Sequence, residues 1–355
     1  MKSTFHRLAL ARIWQRQLRH YLLVVAIYLG ISILNPAFAS IRWTMTDLGT
    51  LGGNYSSATS INDLGHIVGL SNIVPNDNFH AFLYRKGKMI MIEPATVKAS
   101  SAADINDFGE FAGIYIAMKN GGFRPFIFSQ DKIIHLDYVG ANATSINNLS
   151  VVAGYASIGP NHETRAFIYR QGEMKILGTL GGNFSIANAI NNKGQVVGQS
   201  PVNGINYVQA FIYDEGRMFN LGTLGGLRSF ANSINDRSHI VGSSETSTGH
   251  THAFLFAENR MLDLGTLGGN FSEAKGINNR GHIVGTSDTA DGTTHAFLYI
   301  NGKMIDLNDI ANVQHTGWVL ACANAINNSG QIVGYGVING ATHAFLLSPE
   351  KPIED

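Results

Sequence analysis

A chain of 355 residues that is 45% hydrophobic and 14% charged is long enough to bury a large core in one or two domains. Basic and acidic residues balance at 25 each, which excludes the strongly basic composition of many nucleic-acid-binding proteins. The 40 glycines lack the period of collagen and predict many tight turns between short strands.

The first 39 residues differ from the rest of the chain. They contain five basic residues and no acidic residue, then an apolar run at 21–34 and the small-residue site Ala37-Phe38-Ala39. This order is typical of a secretory signal peptide, and we expect cleavage after Ala39. An uncleaved membrane anchor is the alternative, but the run is shorter than the ~20 residues that a spanning helix needs.

Residues 40–355 form the predicted mature protein, with 20 basic and 25 acidic residues. This mild acidity without basic runs predicts that nucleic acid is not a partner. The single cysteine, Cys322, cannot form an internal disulfide, so the exported fold must depend on packing. We expect a periplasmic or extracellular protein that does not associate with the membrane once its signal peptide is removed.

Seven Ile-Asn pairs divide the mature chain into repeats, at spacings of 44, 41, 44, 44, 43 and 49 residues. The asparagines of these pairs are Asn62, Asn106, Asn147, Asn191, Asn235, Asn278 and Asn327. Each repeat predicts four short strands: one ending in Ile-Asn, one like HIVG, one like HAFLY and one like KMIDL. Regular self-similarity of this length is typical of propellers and solenoids.

The predicted turn between the first two strands has the pattern Asn-x-x-Gly. An Asn side chain can bind the backbone two residues on, and Gly suits a tight turn. Ser150 and Ser238 occupy the Gly position in two repeats. We therefore expect that a left-handed backbone is not obligatory there.

The repeats predict an all-β fold, a seven-bladed β-propeller of four-stranded blades. An open solenoid is the alternative, and the two ends of the chain argue against it. The last repeat stops after its third strand, whereas residues 42–48 resemble a fourth strand. We expect residues 42–48 to complete the last blade and to close the ring, which removes the free sheet edges.

The repeats resemble those of the HAF repeat family, which are extracellular repeat proteins of bacteria. The resemblance rests on HAF at 80–82, 252–254, 295–297 and 343–345, and on Leu-Gly-Thr-Leu-Gly-Gly at 48–53 and 264–269. Arg124, Arg165 and Gln209 replace the histidine in three repeats. The family implies export and a repeat fold, without an activity or catalytic residues to transfer.

Three motifs suggest bound groups, and each has a simpler structural explanation. The HAF histidines lie on separate blades and cannot converge on one metal ion. The GTLGG runs precede no helix and lack a phosphate-binding lysine, which favours a connection between blades. The acids of 288–292 lack the ligand pattern and closing Glu of a calcium loop. We expect no metal and no cofactor.

Five residues are candidates for a ligand-binding face. Tyr55, Phe184 and Phe271 follow three of the GTLGG runs, and should either pack between blades or stack on a ligand. Asp104 and Lys275 are the charged exceptions on inner strands that carry mostly small polar residues. Strict alternation along a strand places their side chains on opposite faces of their sheets.

No Ser/His/Asp grouping or paired carboxylates emerge from the repeat pattern, so we expect no catalytic residues. The sequence favours a secreted, monomeric, non-enzymatic binding module whose ligand is a protein or glycan. Two alternatives remain open: an extracellular carbohydrate-active propeller enzyme, as hydrolase or lyase, and a lectin with one site per blade. The loops between second and third strands vary most, and variable loops on a rigid scaffold commonly carry function.

Overall fold

The computed structural model describes residues 42–74, 78–92, 97–118, 121–136, 138–204, 207–310, 313 and 316–351. The predicted signal peptide, residues 1–39, lies outside the described residues. Residues Trp43–Asp355 form one compact unit. Within the described parts of the chain, regular structure consists of β-strands and one short 3₁₀ helix, Leu307–Asp309.

Each repeat forms a four-stranded sheet, and we number the sheets by repeat. Sheet 1 contains β2 (Ser56–Ile61), β3 (Ile67–Asn72), β4 (Phe79–Arg85) and β5 (Lys88–Met91). Sheet 2 contains β6 (Val97–Ile105), β7 (Phe111–Ala117), β8 (Phe123–Ser129) and β9 (Lys132–His135). Sheet 3 contains β10 (Ala141–Ile146), β11 (Val152–Ile158), β12 (Glu163–Arg170) and β13 (Glu173–Ile176). Sheet 4 contains β14 (Ile186–Ile190), β15 (Val196–Pro201), β16 (Val208–Asp214) and β17 (Arg217–Gly222).

The remaining repeats follow the same order. Sheet 5 contains β18 (Gly225–Ile234), β19 (Ile240–Thr246), β20 (Thr251–Ala257) and β21 (Arg260–Asp263). Sheet 6 contains β22 (Gly268–Ile277), β23 (Ile283–Thr289), β24 (Thr294–Ile300) and β25 (Lys303–Asp306). Sheet 7 contains β26 (Val319–Ile326), β27 (Ile332–Ile338) and β28 (Ala341–Pro349), and it also contains β1 (Trp43–Asp47). Neighbouring strands within each sheet are antiparallel, so the predicted all-β class and four-stranded sheets are confirmed.

The first strand of the described chain pairs with the last. Strand β1 lies antiparallel to β28, with Trp43 opposite Pro349 and Asp47 opposite Phe345. The Leu48 amide extends the ladder by donating to the carbonyl of Ala344 at 3.0 Å. The Trp43 side chain is only 2% exposed. The first and last described strands therefore share one sheet.

A glycine on the second strand faces the HAF phenylalanine on the third in every sheet. In sheet 1, Gly69 lies opposite Phe82, and a Cβ on Gly69 would come within 2.8 Å of the Phe82 ring. The phenylalanines at these positions are fully buried: Phe82, Phe126, Phe167, Phe211, Phe254, Phe297 and Phe345. The HIVG and HAF motifs are thus two halves of one packing unit, because the glycine leaves room for the ring.

The apolar core lies between neighbouring sheets. Leu48, Ala58, Phe82, Val333 and Ala344 form one cluster that joins sheet 7 to sheet 1. Equivalent clusters join sheets 1 and 2, 2 and 3, 3 and 4, 4 and 5, and 5 and 6. Each sheet is buried on both faces, as the apolar strands predict.

Two circuits of hydrogen bonds link the seven Asn-x-x-Gly turns. In the first, the Asn62 side-chain amide donates to the Asn106 carbonyl at 2.9 Å, each later asparagine does the same to the next turn, and Asn327 donates back to Asn62. In the second, the backbone amide of the residue after each asparagine is the donor. It donates to the side-chain oxygen of the residue at the same position in the following turn. These acceptors are Asp107, Asn148, Asn192, Asp236, Asn279, Asn328 and Asp63.

The expectation that the fourth position of these turns need not be left-handed is wrong. Ser150 and Ser238 have φ of 56° and 64°, like the glycines at this position. Each serine gains a partner in an earlier turn, because Ser150 donates to Glu110 at 2.5 Å and Ser238 to Gln195 at 2.8 Å. A contact between neighbouring turns thus offsets the cost of ~1–2 kcal/mol that this conformation carries for a non-glycine residue.

The two roles of Ser238 can be separated by substitution. Ser238→Ala keeps the conformational strain and removes the hydrogen bond, whereas Ser238→Gly removes both. We expect the alanine variant to lower the free energy of unfolding by about 1–2 kcal/mol in urea titrations, and the glycine variant to lower it less. A larger loss for glycine than for alanine would contradict this explanation.

Strand β1 provides a test of how the chain ends are joined. A mature protein that starts at Gly49 lacks β1, exposes the edge of β28 and loses the buried Trp43. Loss of even two large apolar side chains from the core costs ~3–6 kcal/mol, a sizeable share of the stability of a domain. We expect this protein to melt many degrees lower or to aggregate.

The matched control ends at Pro349 and removes no strand. We expect its melting temperature to lie close to that of the mature protein. Equal melting temperatures for all three proteins would mean that β1 does not stabilise the fold.

Candidate functional site

The strands have two kinds of ends, which define two rims. The turn rim carries the seven Asn-x-x-Gly turns that follow the first strand of each repeat. The loop rim carries the loops between second and third strands, together with the GTLGG runs. These share one rim, because Leu51 of the first run donates to Ser71 at the end of β3, and Leu180, Leu224 and Leu267 make the equivalent bond.

The GTLGG runs are connections between sheets. Ser56, which is fully buried, accepts from the Ala344 amide of the preceding HAF motif at 2.8 Å and donates to the Gly49 carbonyl at 2.6 Å. Ser185, Ser229 and Ser272 repeat both bonds. This bonding supports the structural explanation of the glycine-rich motif.

Three of the four HAF histidines bind acids on the neighbouring fourth strand, whereas the Nδ1 atom of His80 is buried without a hydrogen-bond partner in the part of the chain that the structure describes. His295 lies 2.6 Å from Asp306, and His252 and His343 make equivalent contacts with Asp263 and Asp47. In sheet 4 both partners are exchanged together, since the Asn220 amide donates to Gln209. The described residues contain no cluster of three or more His, Cys, Asp or Glu side chains suited to a metal ion.

The loop rim contains a cavity of about 550 Å³ between sheets 4, 5 and 6. Two half-buried aromatic side chains, Phe230 and Phe271, line it together with polar and charged residues. The polar residues are Asn188, Gln199, Arg228, Asn232, Ser243, Glu245, Thr251 and Glu273. Apolar walls with several convergent polar groups are the usual character of a small-ligand site.

Both carboxylates of this cavity are held by neighbouring groups. Glu245 accepts from the Leu227 amide at 3.1 Å and lies 3.9 Å from the Arg228 guanidinium. Glu273 accepts from the Asn232 side chain at 2.8 Å and pairs with Lys275 at 2.7 Å. These contacts fix the orientation of the carboxylates and leave them as hydrogen-bond acceptors facing the cavity.

The three aromatic candidates occupy different environments. Phe271 lines the cavity and forms a parallel bridge with Thr251, which links sheets 5 and 6. Tyr55 packs edge-to-face on Phe79 at 5.3 Å and bridges to Thr342 of sheet 7. Phe184 is half-buried at the equivalent position before sheet 4. Of the three, therefore, Phe271 is the one that both contacts a neighbouring sheet and lines this cavity.

Asp104 and Lys275 line one central cavity of about 270 Å³ between the inner strands. Their predicted placement on opposite faces is wrong, because the register shifts between Ala102 and Asp104 and between Ala274 and Gly276. Such a β-bulge breaks the alternation of side chains. Asp104 accepts four hydrogen bonds, from Ser60, Ser145 and the amides of Ile105 and Ile146.

Comparison with known proteins supports the fold. No family model and no curated protein matches the chain. Among solved structures, the β-propeller domain of the Trilobed protease from Pyrococcus furiosus, described as having an open velcro topology, is 10% identical with a TM-score of 0.56, over 84% of this chain and 98% of that one. A puromycin-hydrolyzing peptidase from Mycobacterium tuberculosis is 11% identical with a TM-score of 0.56, over 90% of this chain and 54% of that one.

TolB from Acinetobacter baumannii is 11% identical with a TM-score of 0.48, over 85% of this chain and 66% of that one. The chain thus spans between half and two thirds of TolB and the peptidase. At these identities, the two structures with TM-scores of 0.56 show the fold alone. The chain has the fold of a β-propeller.

Sequence reasoning missed most of the loop-rim cavity. Phe230 and Glu273 stand at equivalent positions two residues before their respective inner-strand bulges, where Ser57 and Ile186 stand in other repeats. Comparison of the repeats at this position would have found both residues as exceptions. Glu245 and Gln199 come from second strands, and only the packing of adjacent sheets brings them into the same cavity.

Asp104 should give the protein a distinctive pH dependence. Burial raises the pKa of its carboxyl above the ordinary value of 3.8, although the four hydrogen bonds act in the opposite direction. The folded state therefore holds the proton more tightly, and this group's contribution to stability falls as the pH rises from about 4 through the folded-state pKa.

We expect that fall to be absent in Asp104→Asn. Urea midpoints should be measured for both proteins at several values from about pH 4 to about pH 7. As the pH rises, we expect the midpoint of the wild type to fall relative to that of Asp104→Asn. Parallel curves over this range would show that Asp104 titrates alike in the folded and unfolded states.

Proposed function

We propose that the protein is a seven-bladed β-propeller closed by residues 42–48, with each sheet forming one blade. The pairing of β1 with β28 supports closure, as do the two hydrogen-bond circuits that return from Asn327 and Asn328 to the first repeat. An open solenoid offers no reason for contacts between its first and last repeats.

This propeller acts as a non-enzymatic binding module, and its ligand occupies the loop-rim cavity between the fourth, fifth and sixth blades. The observation that carries this proposal is the combination there of Phe230 and Phe271 with carboxamides, carboxylates and a guanidinium. Aromatic faces stack on sugar rings or apolar side chains, and the polar groups bind hydroxyls or amides. Of the two ligand classes that the sequence leaves open, this lining favours a glycan.

The carboxylates favour binding over catalysis. Glycoside hydrolysis needs two carboxyl groups, one to donate a proton and one to act as base or nucleophile. Glu273 is instead engaged by Lys275 and Asn232, and Glu245 by a backbone amide. An extracellular hydrolase or lyase is the second candidate, since both acids line one cavity. The lining residues differ between repeats, which argues against a lectin with one site per blade.

The proposed setting is periplasmic or extracellular, with the protein acting as a monomer after removal of residues 1–39. The basic, acid-free leader and its Ala37-Phe38-Ala39 site support export. Within the described residues we find no helix of the length and apolar character that spanning a bilayer requires.

A glycan array probed with the mature protein tests the function. We expect a restricted set of glycans to bind, and Phe271→Ala and Glu245→Gln each to weaken binding of these hits about tenfold or more by calorimetry, since each removes one wall or acceptor of the cavity. Accumulation of cleaved glycan in the same samples would favour the enzyme instead.

Phe184→Ala is the matched control. Phe184 stands at the position of Phe271 in another repeat and does not line this cavity. We expect its glycan affinity to equal that of the wild type. Equal affinity of all three variants would place the ligand elsewhere, and absence of any glycan hit would turn the search to protein ligands.

A further inference from the structure

The third residue of each Asn-x-x-Gly turn makes its repeated contact through the backbone. Its backbone amide donates to the asparagine of its own turn, as Leu64 does to Asn62 at 3.1 Å and Phe108 to Asn106 at 3.0 Å. The other turns repeat this bond. The side chain is exposed in every turn, and the Lys193 ammonium also donates to Ser238 of the following turn at 3.3 Å. What stands there is therefore not dictated by the fold.

Around the turn rim, the apolar members of these seven side chains are adjacent to one another, and so are the basic members. Leu64, Phe108 and Leu149 are consecutive, in sheets 1 to 3, and are 66%, 74% and 59% exposed. Lys193, Arg237 and Arg280 follow, in sheets 4 to 6, and are also exposed. Ser329 completes the ring. An apolar arc thus faces a basic arc on one rim whose turns are joined by continuous hydrogen-bond circuits.

We propose that the turn rim is a docking surface for an anionic phospholipid bilayer. Its three apolar tips enter the interface, and its basic arc contacts lipid phosphates. Exposed apolar groups next to basic side chains are the combination by which peripheral proteins bind such interfaces. The apolar tips project from separate turns, so they match a fluid surface better than the shaped groove of a protein partner. This differs from the expectation that the mature protein avoids the membrane.

The course of the chain supports the same orientation. Trp43, the first residue of β1, lies opposite Pro349 at the end of β28, which places it at the turn rim. Only residues 35–42 separate it from the apolar run at 21–34. Strand β1 therefore begins on the rim that we propose meets the bilayer. The loop-rim cavity lies at the opposite ends of the strands and would face away from the bilayer.

Four acidic groups on this rim are engaged in contacts between turns, whereas Glu215 and Glu258 are exposed in the outer turns of sheets 4 and 5. Asp63, Asp107 and Asp236 each accept from the neighbouring turn in the second circuit. Asp131, near the apolar arc, pairs with Arg85 at 3.3 Å. Lys86, Lys88 and Lys132 lie on the same rim, in the outer turns of sheets 1 and 2, and are exposed. These lysines place positive charge beside the apolar tips as well.

Co-sedimentation of residues 40–355 with vesicles tests the proposal. We expect the protein to bind vesicles of phosphatidylglycerol and phosphatidylcholine, to bind pure phosphatidylcholine far less, and to detach as salt rises. The triple variant Leu64→Ser, Phe108→Ser, Leu149→Ser should lose binding about tenfold or more while its melting temperature is kept. Lys193→Gln, Arg237→Gln, Arg280→Gln should remove most of the lipid selectivity.

The control replaces three apolar residues of the loop rim that are about half exposed: Phe123→Ser, Leu227→Ser, Val319→Ser. It should bind vesicles as the wild type does. A Phe108→Trp variant measures insertion, because its fluorescence should be quenched by brominated acyl chains. Absence of wild-type binding, unchanged binding of the apolar triple variant, equal loss in the control or an unquenched tryptophan would each overturn the proposal. None of these results depends on the ligand of the loop-rim cavity.

Discussion

The seven asparagine side chains that end the first strands are the interaction on which the rest of the structure depends. Each donates to the carbonyl of the next turn, and the last donates to the first. One such bond contributes only ~0.5–1.5 kcal/mol, but each asparagine is buried, so an unpaired amide there would cost more than the bond contributes. A repeat can therefore satisfy its own turn only when a neighbour is present on each side.

This dependence extends through the core. A single sheet buries its HAF phenylalanine against the glycine of its own second strand, yet its remaining apolar face is covered only by the next repeat. The buried serine that follows each GTLGG run then binds the HAF backbone of the preceding sheet. Turn, core and connection thus all bind neighbour to neighbour, and strand β1 supplies the fourth strand of the last sheet.

The regular scaffold leaves a few positions open to variation, and these differ on the two rims. On the loop rim, the positions occupied by Phe230 and Glu273 carry no contact that every repeat must make. On the turn rim, the exposed side chain at the position of Leu64 likewise differs from repeat to repeat. Function in such a fold is expected at the departures from the repeat, where side chains are not used for packing. The loop-rim cavity and the two-part turn rim are the largest departures of this kind.

The sequence by itself determined the strands, the four-stranded sheets and the use of the GTLGG runs as connections. These follow from local chemistry that repeats every 41 to 49 residues: apolar runs, Asn and Gly in turns, and the Gly–Phe pair. The repeats also indicated that residues 42–48 would pair with the last repeat. A periodic sequence determines such features because each repeat contains the same residues that form the strands and turns.

Only the tertiary structure decided where the exceptional residues meet. Alternation predicted that Asp104 and Lys275 face apart, whereas the bulges in their strands place both in the central cavity. Ser150 and Ser238 occupy the glycine position of their turns and keep a left-handed backbone, because a hydrogen bond to another turn offsets the strain. The local sequence pattern does not show that hydrogen-bond partner. Glu245 and Phe271 come from different repeats and share a cavity only because two sheets pack side by side. The physical reason is that contacts between repeats depend on register and packing angle, which the sequence of one repeat does not contain.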